Sequence, residues 1–343
     1  MPPDTLPDLA TRIRQRIDSR TKPQGALGRI EALGAQIAEL QGTERPVMDR
    51  CTLILIAADH GIAREGVSAY PQAVTGQMLA NFLAGGAAAT VFAAQAGVAV
   101  QVVDAGVLTP PAPHPALIDR RLGPGTDSFL HGPAMTPAQA QAALDHGAAL
   151  AGAAPGQALA LGEMGIGNTA SAAMLAHRLT GLPLDRLVGR GTGLDDAGLA
   201  HKRAVLERAA ARLPGRPSAS QAMAEYGGFE IVMMAGAMIG AGRARRAVLV
   251  DGFIASAAAT LALALAPDIR PALVFAHRSA EAGHGALLTH LGAEPLLDLG
   301  MRLGEGTGAL LAWPILRAAG GMMRDMAGFD DAGVSGPAAQ PAP

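Results

Sequence analysis

The chain has 343 residues, half of them apolar but only 3% aromatic, with one cysteine and a formal net charge of −2. That length allows one large or two modest domains around an ample core of Ala, Leu, Val, Ile and Met. The balanced charge, with no basic stripe, excludes a nucleic-acid surface; the single Cys51 excludes an intramolecular disulfide and fits a reducing compartment.

No CxxC or HExxH pattern advertises a metal site. The opening MPPDTLPDLA lacks a basic region followed by an apolar block, so no signal peptide is expected. The longest apolar stretch, Phe253 to Ala266, is about 14 residues against the ~20 of a membrane span. No membrane span is expected, and the chain reads as cytoplasmic.

In chain order, residues 8–18 and 27–40 carry apolar residues at helical spacing, interrupted at Pro23. Thr52 to Ala57 is a strand buried on both faces, ending in Asp59-His60-Gly61. A loop from Ile62 to Pro71 precedes a helix from about Val74 to Gln95. Ala99 to Val103 is the second strand, and the Pro- and Gly-rich Leu108 to Pro133 reads as loop. Thr136-Pro137-Ala138-Gln139 starts a helix with a capping box and Pro at its first position. The third strand is Ala158 to Leu161. Asp195 or Asp196 caps a helix to Leu213, and Ser218 to Gln221 offers another capping box. Phe229 to Ala241, apolar on nearly every side, is either a buried helix or one facing a second subunit. Ala247 to Val250, Ala272 to Ala276 and Pro295 to Leu299 read as the fourth, fifth and sixth strands. The tail from Gly328 reads as mobile. Strands alternating with helices predict an α/β fold with a mainly parallel sheet. The chain divides into 1–48, 49–300, 301–328 and a tail 329–343, with the first and third segments forming one small helical domain.

The stretch Leu159 to Leu175 organises the rest. An apolar strand end runs into Gly162 to Thr169, and an alanine-rich helix follows. Such a turn aims backbone N–H groups and the helix dipole at a negative charge. Gly165 to Thr169 therefore reads as a phosphate cradle with Glu163 beside it. Taken alone, a glycine-rich turn packing a helix on a sheet explains it as well. Nearly every buried strand ends in polar or glycine residues: Asp59-His60-Gly61, Asp104, Gly162-Glu163, Asp251-Gly252 and His277-Arg278-Ser279. In an open parallel sheet those positions line one crevice. No Gly-x-Ser-x-Gly is present, and Cys51 lies at a strand start, so acid–base work falls to carboxylates, Glu163 and Glu305. Lys202 lies on a helix from which it could reach a phosphate.

Eight ordered stretches carry a resemblance: TKPQGALGRIE (21–31), AADHGIAREGVSAYPQAVTGQM (57–78), GEMGIGNTASAA (162–173), GRGTGLDDAGLAHK (189–202), EYGGFEIVMMAGA (225–237), VDGFIASAAA (250–259), FAHRSAEAGH (275–284) and MRLGEGTGA (301–309). From about Thr21 to Val334 the chain resembles the nicotinate-nucleotide–dimethylbenzimidazole phosphoribosyltransferases of cobalamin lower-ligand assembly. Ala26 stands where that family often has Ser, and Ala170 where a second Thr is common.

The resemblance implies a Rossmann-like six-stranded domain, a small helical domain built from both chain ends, a homodimer, and no metal or other cofactor. It implies replacement of the nicotinate of nicotinate mononucleotide by 5,6-dimethylbenzimidazole, giving α-ribazole 5′-phosphate and nicotinate. Glu305 matches the general base. Ser68, Tyr70, Gln77 and Met78 match the benzimidazole region. Glu163, Gly165, Gly167, Asn168, Thr169, Lys202, Asp251 and Ser279 match the region around the phosphate and ribose. Two rivals differ on inspection of the same residues. A non-catalytic nucleotide-binding regulator would keep the cradle and could dispense with Glu305. A Rossmann dehydrogenase would want Gly-x-Gly-x-x-Gly where Ala57-Ala58-Asp59-His60-Gly61 stands.

Overall fold

A computed structural model describes residues 7–335. The chain forms two compact units, residues 50–313 and the two ends together, residues 1–49 with 314–343. In the smaller unit α1 (Leu9–Asp18) is capped by Asp8, whose carboxylate accepts the Thr11 N–H at 2.8 Å. The second helix, α2 (Arg29–Gln41), stops at Gly42, left-handed at φ 69. Ile13, Ile17 and Ala38 meet Met322 and Met323 in this unit's core. Gly34 packs closely there: a Cβ would fall 2.8 Å from Met322 Cε and 2.9 Å from Met323 Cγ, so those side chains would have to shift.

The larger unit begins with β1 (Cys51–Ala58), α3 (Ala73–Leu83), α4 (Ala88–Ala96), β2 (Ala99–Gly106) and β3 (Leu117–Asp119). Then come α5 (Pro137–Ala153), β4 (Ala158–Met164), α6 (Asn168–Thr180), α7 (Leu184–Leu187), α8 (Asp196–Arg212), α9 (Ala219–Tyr226) and α10 (Phe229–Arg243). Next are β5 (Ala247–Val250), α11 (Phe253–Leu265), β6 (Leu273–Phe275) and α12 (His284–His290); α13 (Thr307–Asp325) and α14 (Phe329–Ala332) complete the chain. The six strands are parallel in the order β3-β2-β1-β4-β5-β6. This is the Rossmann-like, doubly wound order, whose switch point lies between β1 and β4. All eight residues of β1 are buried, as a strand covered on both faces requires.

The sheet departs from the sequence reading at one strand. Pro295 to Leu299 forms no strand; Leu297 makes only an isolated bridge with His277. The sixth strand is β3, a three-residue edge inside the segment read as loop. The helix expected from Val74 to Gln95 is two, α3 and α4, separated around Gly85, which is left-handed at φ 78. That break divides the run Ala73–Ala96, which has the length and apolarity of a membrane span by composition alone. The tail read as mobile from Gly328 begins with α14, while residues 336–343 lie outside the described residues.

Helix α10 is apolar on every side because the chain's own core surrounds it. Residues Ile231 to Ala235 are wholly buried. It packs on α5 at glycine contacts: Gly147 abuts the Met233 carbonyl, and Gly236 abuts the Leu144 carbonyl. The subunit-facing reading of this helix is thereby replaced by the buried one.

Candidate active site

A cavity of about 410 Å³ opens at the carboxyl ends of β4, β5 and β6. The turn after β4 supplies its floor with Gly165, Ile166, Asn168 and Thr169, and Glu163 stands at the strand's end. Gly165 has no room for a side chain, since a Cβ would overlap the Ala58 carbonyl. Gly167 is left-handed at φ 98 and caps α6. The Asn168 amide donates to Glu163, fixing that carboxyl against the first residue of α6.

Glu305 comes from a turn packed against the end of β4. It is a non-glycine residue at φ 61, flanked by Gly304 at φ 87 and Gly306 at φ 81. Side chains rarely hold that backbone, and such outliers concentrate at functional sites. The packing forces it. A Cβ on Gly304 would strike the Glu163 carboxylate, and one on Gly306 would lie 2.7 Å from Leu53 Cδ1. Glu305 Oε2 accepts the Ala89 N–H in the first turn of α4 at 3.3 Å. Asp251, at the end of β5, accepts the Ala309 N–H at 2.9 Å in the first turn of α13, where the dipole favours an anion. His277 Nε2 stands 3.6 Å from Asp251 Oδ1.

Burial and like charge govern the protonation of these carboxyls. Glu163 is pushed up to about 8, by burial first and then by the charges of Glu230, Asp251 and Glu305. Glu305 and Asp251 are raised too, chiefly by burial. At neutral pH Glu163 therefore holds its proton. Cys51 is buried, its thiol pushed up to about 12 by burial, which suits no nucleophile.

Of the residues singled out in the sequence, Tyr70, Met78, Glu163, Gly165, Asn168, Thr169, Asp251, Ser279 and Glu305 line this one cavity. Ser68, Gln77, Gly167 and Lys202 do not. The Ser68 hydroxyl instead accepts the Tyr70 N–H at 3.3 Å, propping the aromatic residue on the rim. Lys202 lies behind Thr169, donating to its hydroxyl at 2.8 Å and to the Gly189 carbonyl at 3.3 Å. Burial lowers its ammonium to about 8. Ser279 is aimed through its backbone: its N–H donates to His284 Nδ1 at 2.8 Å, and His284 Nε2 faces Ser256 Oγ at 3.0 Å. Burial, then His277 and Arg278, lower His284 to about 3, so it is a neutral prop.

Asp59, His60 and Asp104 end their strands but lie off the cavity. Asp104 caps its own turn, accepting the Gly106 and Val107 N–H groups at 2.9 and 2.8 Å. Sequence reasoning missed Glu281, Arg302 and Thr192 on the wall. Glu281 Oε1 accepts the Gly191 N–H at 3.2 Å, and Arg302 donates to the Gly191 carbonyl at 3.4 Å, so together they clasp the loop carrying Thr192. Thr192, Glu281 and Arg302 lie within GRGTGLDDAGLAHK, FAHRSAEAGH and MRLGEGTGA, where no spacing marks them as site residues. Among the described residues no group of three or more His, Cys, Asp and Glu is arranged to hold a metal ion.

The phosphoribosyltransferase family model matches residues 3–334. The chain belongs to this phosphoribosyltransferase family. It is 55% identical over 334 residues to the nicotinate-nucleotide–dimethylbenzimidazole phosphoribosyltransferase of Ralstonia nicotianae, covering 96% of this chain and 94% of that one. It is 53% identical over 330 residues to the enzyme of the same name from Cupriavidus necator, covering 95% of each. The crystal structure of CobT from Thermus thermophilus superposes with a TM-score of 0.92 at 46% identity, covering 96% of this chain and 99% of that one. As a member of the family the chain is a pentosyltransferase, and its Rossmann-like sheet is the family's own fold.

Proposed function

We propose that this phosphoribosyltransferase moves the phosphoribosyl group of nicotinate mononucleotide onto 5,6-dimethylbenzimidazole, releasing nicotinate and α-ribazole 5′-phosphate for the cobalamin nucleotide loop. The names of the full-length relatives support the substrates, and they give no support to a non-catalytic regulator. The observation that carries the mechanism is Glu305: a buried carboxyl, held in a left-handed turn, on the wall of a cavity whose rim bears Tyr70 and Met78 and whose floor is the glycine turn.

Nicotinate leaves as a ring that was already a cationic pyridinium, so no acid is needed. The incoming base attacks through one ring nitrogen while the other carries a proton. As the bond to C1′ forms, that N–H becomes acidic, and Glu305 accepts it. The carboxylate's hydrogen bond strengthens as charge develops, the condition for catalysis rather than mere binding. Its burial-raised basicity suits this role. Tyr70 and Met78 hold the base, with Ser68 bracing Tyr70 from behind. The α6 turn from Gly165 to Thr169, with Gly167 and Asn168 at its heart, holds phosphate together with Ser279 and the charge of Lys202 behind Thr169. Glu163 and Asp251 face the ribose, Glu163 as a protonated carboxyl that can donate a hydrogen bond to a ribose hydroxyl. Attack opposite the leaving ring turns β nucleotide into α product without a covalent enzyme intermediate. The reaction needs no metal or other cofactor, and we place the enzyme in the cytoplasm as a homodimer.

Glu305→Gln tests the assignment. It keeps the shape of the site, so nucleotide affinity stays near wild type while kcat falls on the order of 10²–10⁴-fold with both substrates saturating. A loss below about tenfold would move the base to Glu163 or to water.

A further inference from the structure

We propose that Thr75, held by Asp59, is a positioning residue that sets the base-side helix α3 in register with the glycine turn before α6. The Thr75 side chain is wholly buried. Its hydroxyl donates to Asp59 Oδ1 at 2.8 Å and accepts the Ile166 N–H at 3.1 Å. Because the hydroxyl proton goes to a carboxylate, the lone pair faces Ile166, and Ile166 is the residue between Gly165 and Gly167. Asp59 is itself fixed, since Oδ2 accepts the Leu108 N–H at 2.8 Å and its own N–H donates to the Gly106 carbonyl at 3.1 Å. The other end of the link is the cavity wall. Val74 and Met78, one helical turn apart and flanking Thr75 in sequence, both line the cavity. Gly76 presses against the Thr109 carbonyl, which keeps α3 from sliding. A single buried hydroxyl thus joins the wall that carries the aromatic base to the turn that carries the phosphate.

This proposal rests on the functional reading for what the two walls bind, not for the link itself. Valine fills the same volume but leaves the Ile166 N–H and Asp59 Oδ1 without partners in a dry site, so the turn has reason to shift. Serine keeps the hydroxyl. A shift near one ångström between reacting partners costs up to about a hundredfold.

The full-length Thr75→Val and Thr75→Ser variants are assayed with nicotinate mononucleotide and 5,6-dimethylbenzimidazole. Amide hydrogen exchange over residues 163–169 is followed by mass spectrometry on the same samples. Thr75→Val is expected to lose about ten- to hundredfold in kcat/KM and to exchange faster over that segment, while Thr75→Ser stays within about threefold of wild type in both. Wild-type kcat/KM or unchanged exchange in Thr75→Val overturns the proposal. So does a Thr75→Ser enzyme as impaired as Thr75→Val, which would assign the effect to methyl packing. If the wild-type protein turns over neither substrate, the functional reading falls and the exchange comparison alone decides. Should Thr75→Val fail to fold, Thr75→Ala takes its place: it removes the same hydroxyl, so the same segment exchanges faster, and wild-type exchange overturns the link.

Discussion

Glu163 and Glu305 are both buried carboxyls beside glycines, both raised by burial and by the charge of Asp251. Glu163 also feels Glu230 and Glu305 and is pushed up to about 8. Folding therefore holds its proton more tightly than the unfolded chain does. Stability from this group is highest below its ordinary value of 4.5 and is lost as pH rises to about 8. Glu163→Gln removes that dependence. The variant should gain a few kcal/mol over wild type at pH 8.5, a gain that shrinks toward nothing near pH 4.5. Urea unfolding of both proteins at the two pH values checks this; a constant difference would mean that Glu163 titrates normally. Glu163 and Glu305 were legible in the sequence because each stands among glycines, Glu163 at the end of a buried strand, where an open parallel sheet places its ligands. Glu281, Arg302 and Thr192 were illegible for the converse reason. They come from loops with no period, and an isolated charge in a loop reads as solvated.

At the scale of elements, β4 approaches the Glu305 turn closely enough to exclude a side chain at Gly162. A Cβ on Gly162 would overlap the Glu305 carbonyl oxygen and lie 2.6 Å from its carbon. Gly162→Ala must move residues 304–306 or bend β4. We expect about 1–3 kcal/mol of lost stability and a kcat lower by roughly ten- to hundredfold, read by thermal unfolding and single-turnover rates. Turnover at the wild-type rate would show that the turn tolerates displacement. The same contrast explains which strands could be read in advance. β1, β4, β5 and β6 contain apolar runs, the pattern of strands covered on both faces, while β2 opens half-exposed around Gln101 before Val102 to Gly106 are buried. β3 is a half-exposed edge of three residues amid prolines, with no run long enough to show a period. Pro295 to Leu299 has such a run, but Leu296 and Leu297 donate their N–H groups to the Phe275 and Ala276 carbonyls without extending a ladder. Composition alone does not tell these apart. Nor does it show the break between α3 and α4, since one left-handed glycine costs an otherwise apolar helix little signal.

For the whole molecule, the strand order puts the switch point beside β4, so the crevice, the glycine turn and the carboxylates converge by topology. The oligomeric state is a separate matter. Helix α10 is consumed by the chain's own core, so it offers no leftover apolar face to the proposed homodimer. Light scattering at micromolar concentration should give about twice the 34.6 kDa chain mass; a monomer mass would exclude the dimer. The central claim is one displacement at C1′, made by an incoming base whose proton goes to Glu305. The most direct measurement is incubation of the wild-type protein with β-nicotinate mononucleotide and 5,6-dimethylbenzimidazole, with the product identified by mass and its C1′ configuration by proton NMR. A single displacement predicts the α-configured riboside phosphate with one equivalent of nicotinate. A β-configured product, or none, would contradict it.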